Sequence, residues 1–392
     1  GGKPLVDSQV EADRAIDGVR CCIETLRTQA GREVPMGITA SSADRLAFTR
    51  HEPIGPVLAF SAFNHPLNLI VHQVAPAVAA GCPVLVKPAE ATPLSCFRFV
   101  GILRDAGLPE EWCQAFLTED LELASKLVGD SRIGFFTFIG SSRVGWMLRS
   151  KLAPGVRCAL EHGGVAPAIV AGDADLDDVL PLLAKGAFYH AGQVCVSVQR
   201  VFAERTIARD VAERLAQLAG KMLVGDTTYP TTQVGPLIRP AEVERVAQWV
   251  DEAAAGQRDV ICGARRLTGT TYSPTVLFDP PADAKVSTEE VFGPVACIYP
   301  YDDVDDAIAR ANALPYAFQA SVCTKNIDVA LRASQRLNAA AVMVNDHTAF
   351  RVDWMPFAGL RESGLGIGGI PYTMHDMQIE KLVVIRSKEM GP

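Results

Sequence analysis

The chain has 392 residues, 48% of them hydrophobic, which is enough to bury more than one core and to fold as two or three domains. A net charge of -8 without a cluster of Lys or Arg excludes a polyanion-binding surface, so no nucleic-acid partner is expected. The most apolar stretch, Val74 to Val86, is interrupted by Pro76, Gly81 and Pro83 and is too short to span a bilayer, so no membrane partner is expected.

Gly1 is not an initiator residue and no secretory signal is visible, so a start further upstream is expected. Met36 to Glu52, rich in Thr and Ser and stopped by Pro53, reads as an exposed hairpin. From Val57 to Ala171, short β-rich runs alternate with helical periodicity. Strands are expected at Val57–Ser61, Pro83–Val86, Cys113–Leu117, Gly134–Phe138 and Arg157–Leu160, with helices near Leu67–Ala80, Leu94–Ala106, Leu121–Val128 and Ser142–Leu152. This pattern predicts a parallel α/β sheet.

A second alternation follows a boundary near Gly163-Gly164. It has helices over Leu176–His190, Ile207–Lys221, Ala241–Ala255, Val304–Ala313 and Ile327–Leu337. Its strands are expected at Gln199–Ala203, Thr275–Phe278, Ala296–Tyr299, Gln319–Cys323 and Ala341–Val344. Gly364 to Gly369 formally matches the dinucleotide fingerprint GxGxxG, but too little chain follows for a βαβ unit, so it reads as a flexible loop before a last strand at Ile379–Ile385. That strand pairs either with the hairpin or with another subunit.

Ten cysteines without a CxxC pair fit reduced thiols, which makes the cytoplasm the expected compartment. The seven histidines show no zinc spacing, and no metal site is expected. Chemistry concentrates in two segments, Glu161-His162-Gly163-Gly164 and Gly192-Gln193-Val194-Cys195. They offer a carboxylate base and a thiol nucleophile, each beside small residues that let a ligand approach the backbone, and so point to covalent catalysis on a carbonyl.

Three further segments leave predicted strand ends, where ligands sit in open parallel sheets. Lys87 and Glu90 can share a ribose diol, with the carboxylate repelling a 2′-phosphate and favouring NAD over NADP; on spacing alone a surface ion pair is the better explanation. Gly140-Ser141 opens a helix and suits a pyrophosphate, or is an ordinary Ser cap. Asn64, with the backbone N–H of Cys195, suits an oxyanion, or is a turn asparagine.

In this order the segments resemble the aldehyde dehydrogenase superfamily from Gly2-Lys3-Pro4 to the C-terminus. The resemblance implies two Rossmann-like parallel α/β domains and a small β oligomerisation ribbon. These comprise an NAD-binding domain of residues 1–35 and 53–163, a catalytic domain of 164–372, and a ribbon of 36–52 and 378–392 that makes a homodimer or homotetramer. It assigns Cys195 as nucleophile, Glu161 as general base and Asn64 as oxyanion ligand. Lys87, Glu90, Gly140, Ser141, Glu290, Phe292 and Phe63 fall to the cofactor, NAD in preference to NADP. The implied reaction is oxidation of a small-molecule aldehyde to a free acid through a Cys195 thiohemiacetal and thioester. A catalytically silent homologue and an NAD-independent thiol esterase are the alternatives.

Asn64-His65-Pro66-Leu67-Asn68 and Phe350-Arg351-Val352-Asp353-Trp354-Met355-Pro356 resemble the branch acting on small polar aldehydes such as lactaldehyde, glyceraldehyde, succinate semialdehyde and phosphonoacetaldehyde. There Arg351 and His65 would face an anionic substrate tail. The chain departs from the family pattern at His162, Ile139 and Ala358, and it begins where the family has already contributed an N-terminal segment to the cofactor domain and substrate tunnel. Loss of that segment is expected to expose apolar surface.

Overall fold

The computed structural model describes residues 1–255 and 259–390. A first sheet of six strands runs in the order Gly364–Leu365, Arg157–Glu161, Phe135–Ile139, Val57–Phe60, Val84–Lys87, Cys113–Ala115. The last five are parallel, and Gly364–Leu365 closes one edge antiparallel to Leu160–Glu161. Both faces of the central strands are covered, which is why they read as short continuous apolar runs: Val57, Leu58, Ala59 and Phe136 are wholly buried. Helix Asn68–Ala79 is apolar around nearly its whole circumference. It packs between this sheet and the helices Leu5–Thr28 and Ile370–Asp376.

The second sheet has seven strands in the order Asp259–Cys262, Thr275–Phe278, Val295–Tyr301, Arg200–Glu204, Pro167–Val170, Gln319–Cys323, Ala341–Val344, all parallel except the first. Its core joins Leu180 and Leu183 from helix Leu176–Phe188, Leu215 from helix Arg205–Lys221 and Phe202 from the sheet. The two parallel α/β sheets are those the alternation predicts. The chain passes from one to the other between Glu161 and Pro167, across Gly163-Gly164.

Several elements differ from expectation. Strand Pro167–Val170 and helix Leu5–Thr28 were not foreseen. The strand is four residues long and starts on a proline, and the helix scatters charges around its surface, so neither gives a clean period. Gly364 to Gly369 is not a loose loop: after the short edge strand, Gly368 and Phe357 exchange backbone hydrogen bonds at 2.7 and 3.0 Å. The end of the expected 164–372 unit therefore belongs spatially to the first sheet, since Gly364–Leu365 pairs with it and helix Ile370–Asp376 packs on Asn68–Ala79.

A separate antiparallel sheet joins Glu33–Val34, Arg45–Pro53 and Gln378–Arg386. The two long strands pair from Gln378 opposite Pro53 to Arg386 opposite Arg45. The hairpin expected over 36–52 is displaced, because its first strand lies upstream at Glu33–Val34 and residues 36–44 form the connection. Residues 391–392, the end of the expected ribbon, lie outside the described residues. Among the described residues no helix is long and apolar enough to cross a membrane, and no group of His, Cys, Asp or Glu is placed to hold a metal ion.

Candidate active site

The loop carrying Cys195 is built by its neighbours. Helix Leu176–Phe188 ends in a turn where His190, Ala191 and Gly192 have φ of 49°, 55° and 69°, three successive left-handed residues. This conformation costs free energy and must be held by its surroundings. Gln193 supplies much of that hold: its side-chain amide donates to the carbonyl of Pro236 at 3.1 Å and accepts from the N–H of Ile238 at 2.8 Å. Its own carbonyl accepts from Asn64 Nδ2 at 2.9 Å, so Asn64, at the end of the first sheet, is pinned beside the cysteine loop of the second.

The glycines in the two motifs admit protein rather than ligand. A Cβ at Gly192 would collide with the backbone of Gly293, and one at Gly163 would collide with the carboxylate of Glu290. That corrects the expectation of ligand access at those two positions. At Gly140 a Cβ would meet the Phe138 ring. His162, one of the departures from the family pattern, occupies space left by Gly145, with Nδ1 2.9 Å from the Glu362 carbonyl and its ring edge-on to Trp146.

Glu161 lies at the end of strand Arg157–Glu161, with Oε1 3.9 Å from Arg351 Nη1 and without a hydrogen-bond partner. Burial pushes its carboxyl above the usual range, against the pull of the Arg351 and Arg14 cations. Burial also pushes the Cys195 thiol far up, helped by the charges of Glu161 and Glu290 and opposed by Arg351. The thiol is therefore protonated at rest and depends on a nearby base for activation. Arg351 lies over the Phe357 ring, 3.5 Å from its centre, and its Nε has no partner.

The residues expected at the cofactor side fall around the C-terminal ends of the first sheet's strands. Lys87 ends its strand and forms an ion pair with the exposed carboxylate of Glu90. Ser141 precedes helix Ser142–Arg149 and makes no side-chain capping bond, leaving its hydroxyl available. Glu290 accepts from the N–H of Gly164 at 3.1 Å, and burial pushes its carboxyl up to about 8. Phe292, at φ 46°, packs edge-on against Phe63 with ring centres 5.9 Å apart. Gln199, which the sequence reading missed, secures this segment by donating to Glu289 at 2.7 Å and accepting from the N–H of Val291 at 2.9 Å.

His65 is not a free cation facing the site. Its Nδ1 sits 2.7 Å from Lys3 Nζ, and burial with the Lys3 charge keeps it neutral. Arg351 lies near Glu161, and its support comes from residues with no motif to announce them. His72 Nδ1 is 3.4 Å from Arg351 Nη2, and Asp353 takes His72 Nε2 at 2.7 Å and Arg14 at 2.6 and 3.1 Å.

This arrangement matches known proteins along its whole length. The sequence profile of the aldehyde dehydrogenase family matches residues 1–383. The chain is 36% identical over 385 residues to 3-sulfolactaldehyde dehydrogenase of Priestia aryabhattai, an alignment covering 98% of this chain and 80% of that protein. The crystal structure of aldehyde dehydrogenase 21 from Physcomitrella patens in complex with the reaction product succinate superposes with a TM-score of 0.94 at 35% identity, over 98% of this chain and 80% of that one. Glyceraldehyde-3-phosphate dehydrogenase from Methanocaldococcus jannaschii, complexed with NADP, gives 0.92 at 33% identity, over 98% and 83%. With profile, sequence and fold in agreement, the chain belongs to the aldehyde dehydrogenase family, oxidoreductases that act on aldehydes with NAD(P).

Proposed function

We propose that this protein oxidises a small aldehyde carrying an anionic group to the free acid, with Cys195 as nucleophile and Glu161 as hydrolytic base. The observation that carries the reading is the grouping of Cys195, Glu161 and Arg351: Cys195 packs in the cluster of Phe357, Arg351 lies over that ring with Nη1 3.9 Å from Glu161 Oε1, and Glu161 Oε1 and Arg351 Nε both lack a hydrogen-bond partner. The anionic tail is supported by Arg351 and by two similar proteins, one named for 3-sulfolactaldehyde and one holding succinate.

The residues present fit a nicotinamide cofactor. Lys87 and Glu90 would hold the adenosine ribose, Gly140 and Ser141 the pyrophosphate, and Glu290 with Phe292 and Phe63 the nicotinamide end. The close approach of Gly163 to Glu290 and the uncommitted Ser141 hydroxyl support this fit. When bound, the cofactor accepts a hydride from the substrate carbon. The chain's own residues do the rest. Cys195 gives its proton to Glu161, which releases it to solvent, and the thiolate adds to the carbonyl carbon, forming a C–S bond as the carbonyl π pair moves onto oxygen. The Asn64 amide and the Cys195 N–H stabilise the oxyanion. After oxidation leaves a thioester, Glu161 takes a proton from water, which attacks the acyl carbon, releasing the acid and restoring the thiol.

Within this reading NAD is preferred over NADP because Glu90 would repel a 2′-phosphate, and a Glu90→Ala variant with an unchanged NAD/NADP ratio removes that argument. The ten free cysteines support a cytoplasmic enzyme, and the exposed terminal strand supports a homodimer or homotetramer. Reduced-nicotinamide absorbance with NAD and succinate semialdehyde tests the whole. Wild-type protein is expected to turn over and Cys195→Ala to be silent. Turnover that survives the substitution overturns the reading, as does silence of the wild type toward a panel of small aldehydes. Ester hydrolysis indifferent to NAD in place of aldehyde oxidation favours a thiol esterase.

A further inference from the structure

Arg351 is the cation nearest the base, and a long side chain needs a reason to stay there. Its Nη1 reaches toward Glu161 Oε1 at 3.9 Å, too far for a hydrogen bond, and its stacking on Phe357 fixes the plane of the guanidinium but not its rotation in that plane. Among the described residues, the one hydrogen bond its N–H groups make is Nη2 to His72 Nδ1 at 3.4 Å.

Only one state of His72 accepts that bond. Nδ1 must carry the lone pair, so the proton sits on Nε2, where Asp353 Oδ1 takes it at 2.7 Å. The surroundings favour this state. Burial and the Arg351 cation push His72 down to about 4, leaving the ring neutral. Asp353 is held well below the usual carboxylate range: burial works against this, and hydrogen bonds from His72 and Arg14 outweigh it. Asp353 is itself fixed by Arg14 and by Asn68 Nδ2 at 3.2 Å, so the anchor of the series is rigid.

We propose that His72 and Asp353 are positioning residues for substrate selection. Asp353 fixes the His72 tautomer, His72 aims the Arg351 guanidinium, and Arg351 is thereby held where it can meet an anionic substrate tail and the Glu161 carboxylate alternately. The inference rests on the anionic-substrate reading above and adds the device that makes Arg351 selective. Neither residue touches substrate. Both act through Arg351, as a second layer that orients a working side chain.

Two substitutions at His72 separate the contacts. In His72→Asn the side-chain oxygen takes the place of Nδ1, keeping the acceptor for Arg351 and losing Asp353. In His72→Gln the amide nitrogen takes the place of Nε2, keeping Asp353 and losing Arg351. The readout is the ratio of kcat/KM for succinate semialdehyde to that for butanal, split into kcat and KM, with thermal midpoints as the fold control.

The expected result is a roughly tenfold fall in the ratio for His72→Gln, carried by KM for the charged aldehyde and approaching the value of Arg351→Met. His72→Asn is expected to recover most of the wild-type ratio. A wild-type enzyme with no preference for the charged aldehyde overturns the anionic reading and this inference together. With that preference present, equal ratios in the two His72 variants overturn the positioning role alone. If both variants lose their thermal midpoint, Asp353→Leu, which removes the acceptor for His72 Nε2, decides: a wild-type ratio in a folded Asp353→Leu protein also overturns it.

Discussion

Glu161 works as a base only when ionised, and burial holds its carboxyl above the ordinary 4.5. Activity limited by thioester hydrolysis is therefore lost as pH falls through a value higher than a surface glutamate would give. Arg351 and Arg14 oppose the shift, and Cys195 is the titratable neighbour coupled to both Glu161 and Arg351. Removing the cation with Arg351→Met should move the acidic limb of kcat, measured with butanal, upward by roughly one pH unit. An unmoved limb would show that Arg351 does not act on the base. The sequence exposes Cys195, Glu161 and Asn64 because each sits in a short local motif whose residue types match its chemistry. It hides His72 and Asp353, which meet across 281 positions and, read singly, are an ordinary helix histidine and a loop aspartate. The contact of His65 Nδ1 with Lys3, 62 positions away, is hidden in the same way.

Among the elements, the crossover from strand Arg157–Glu161 to strand Pro167–Val170 brings together Glu161, Glu290 and Cys195, the proposed base, cofactor contact and nucleophile. Gly163 matters there because Glu290 lies against it while accepting from Gly164. Gly163→Ala should displace Glu290, break that hydrogen bond and raise KM for NAD by roughly tenfold, with the thermal midpoint as the control for folding. An unchanged KM would separate Glu290 from cofactor binding. The alternation of strands and helices was legible because buried parallel strands are short apolar runs flanked by amphipathic helices. The glycine-rich segment was legible only in part. Its mismatch with a βαβ unit argued against a phosphate loop, but its edge pairing with Leu160–Glu161 depends on a partner some two hundred residues upstream.

For the whole molecule, the three-stranded ribbon stands apart from both sheets and leaves Gln378–Arg386 as a free edge with Leu382, Val384 and Ile385 exposed. An apolar edge of this kind is a site for strand pairing or face-to-face burial between copies. Light scattering should give a multiple of the 42.0 kDa chain for wild type and a single chain for the double variant Leu382→Lys, Val384→Lys. A wild-type mass of one chain would contradict the assembly.

Covalent catalysis by Cys195 with hydrolysis by Glu161 is the claim on which the account turns. Mixing Glu161→Gln with NAD and succinate semialdehyde, quenching, and mapping the peptides by mass spectrometry tests it most directly. About one equivalent of reduced nicotinamide per active site is expected, formed more slowly than in the wild type because the thiol has lost its base, with slow turnover thereafter and an acyl adduct on the peptide carrying Cys195. Unimpaired steady turnover, or an adduct on another cysteine, would contradict it.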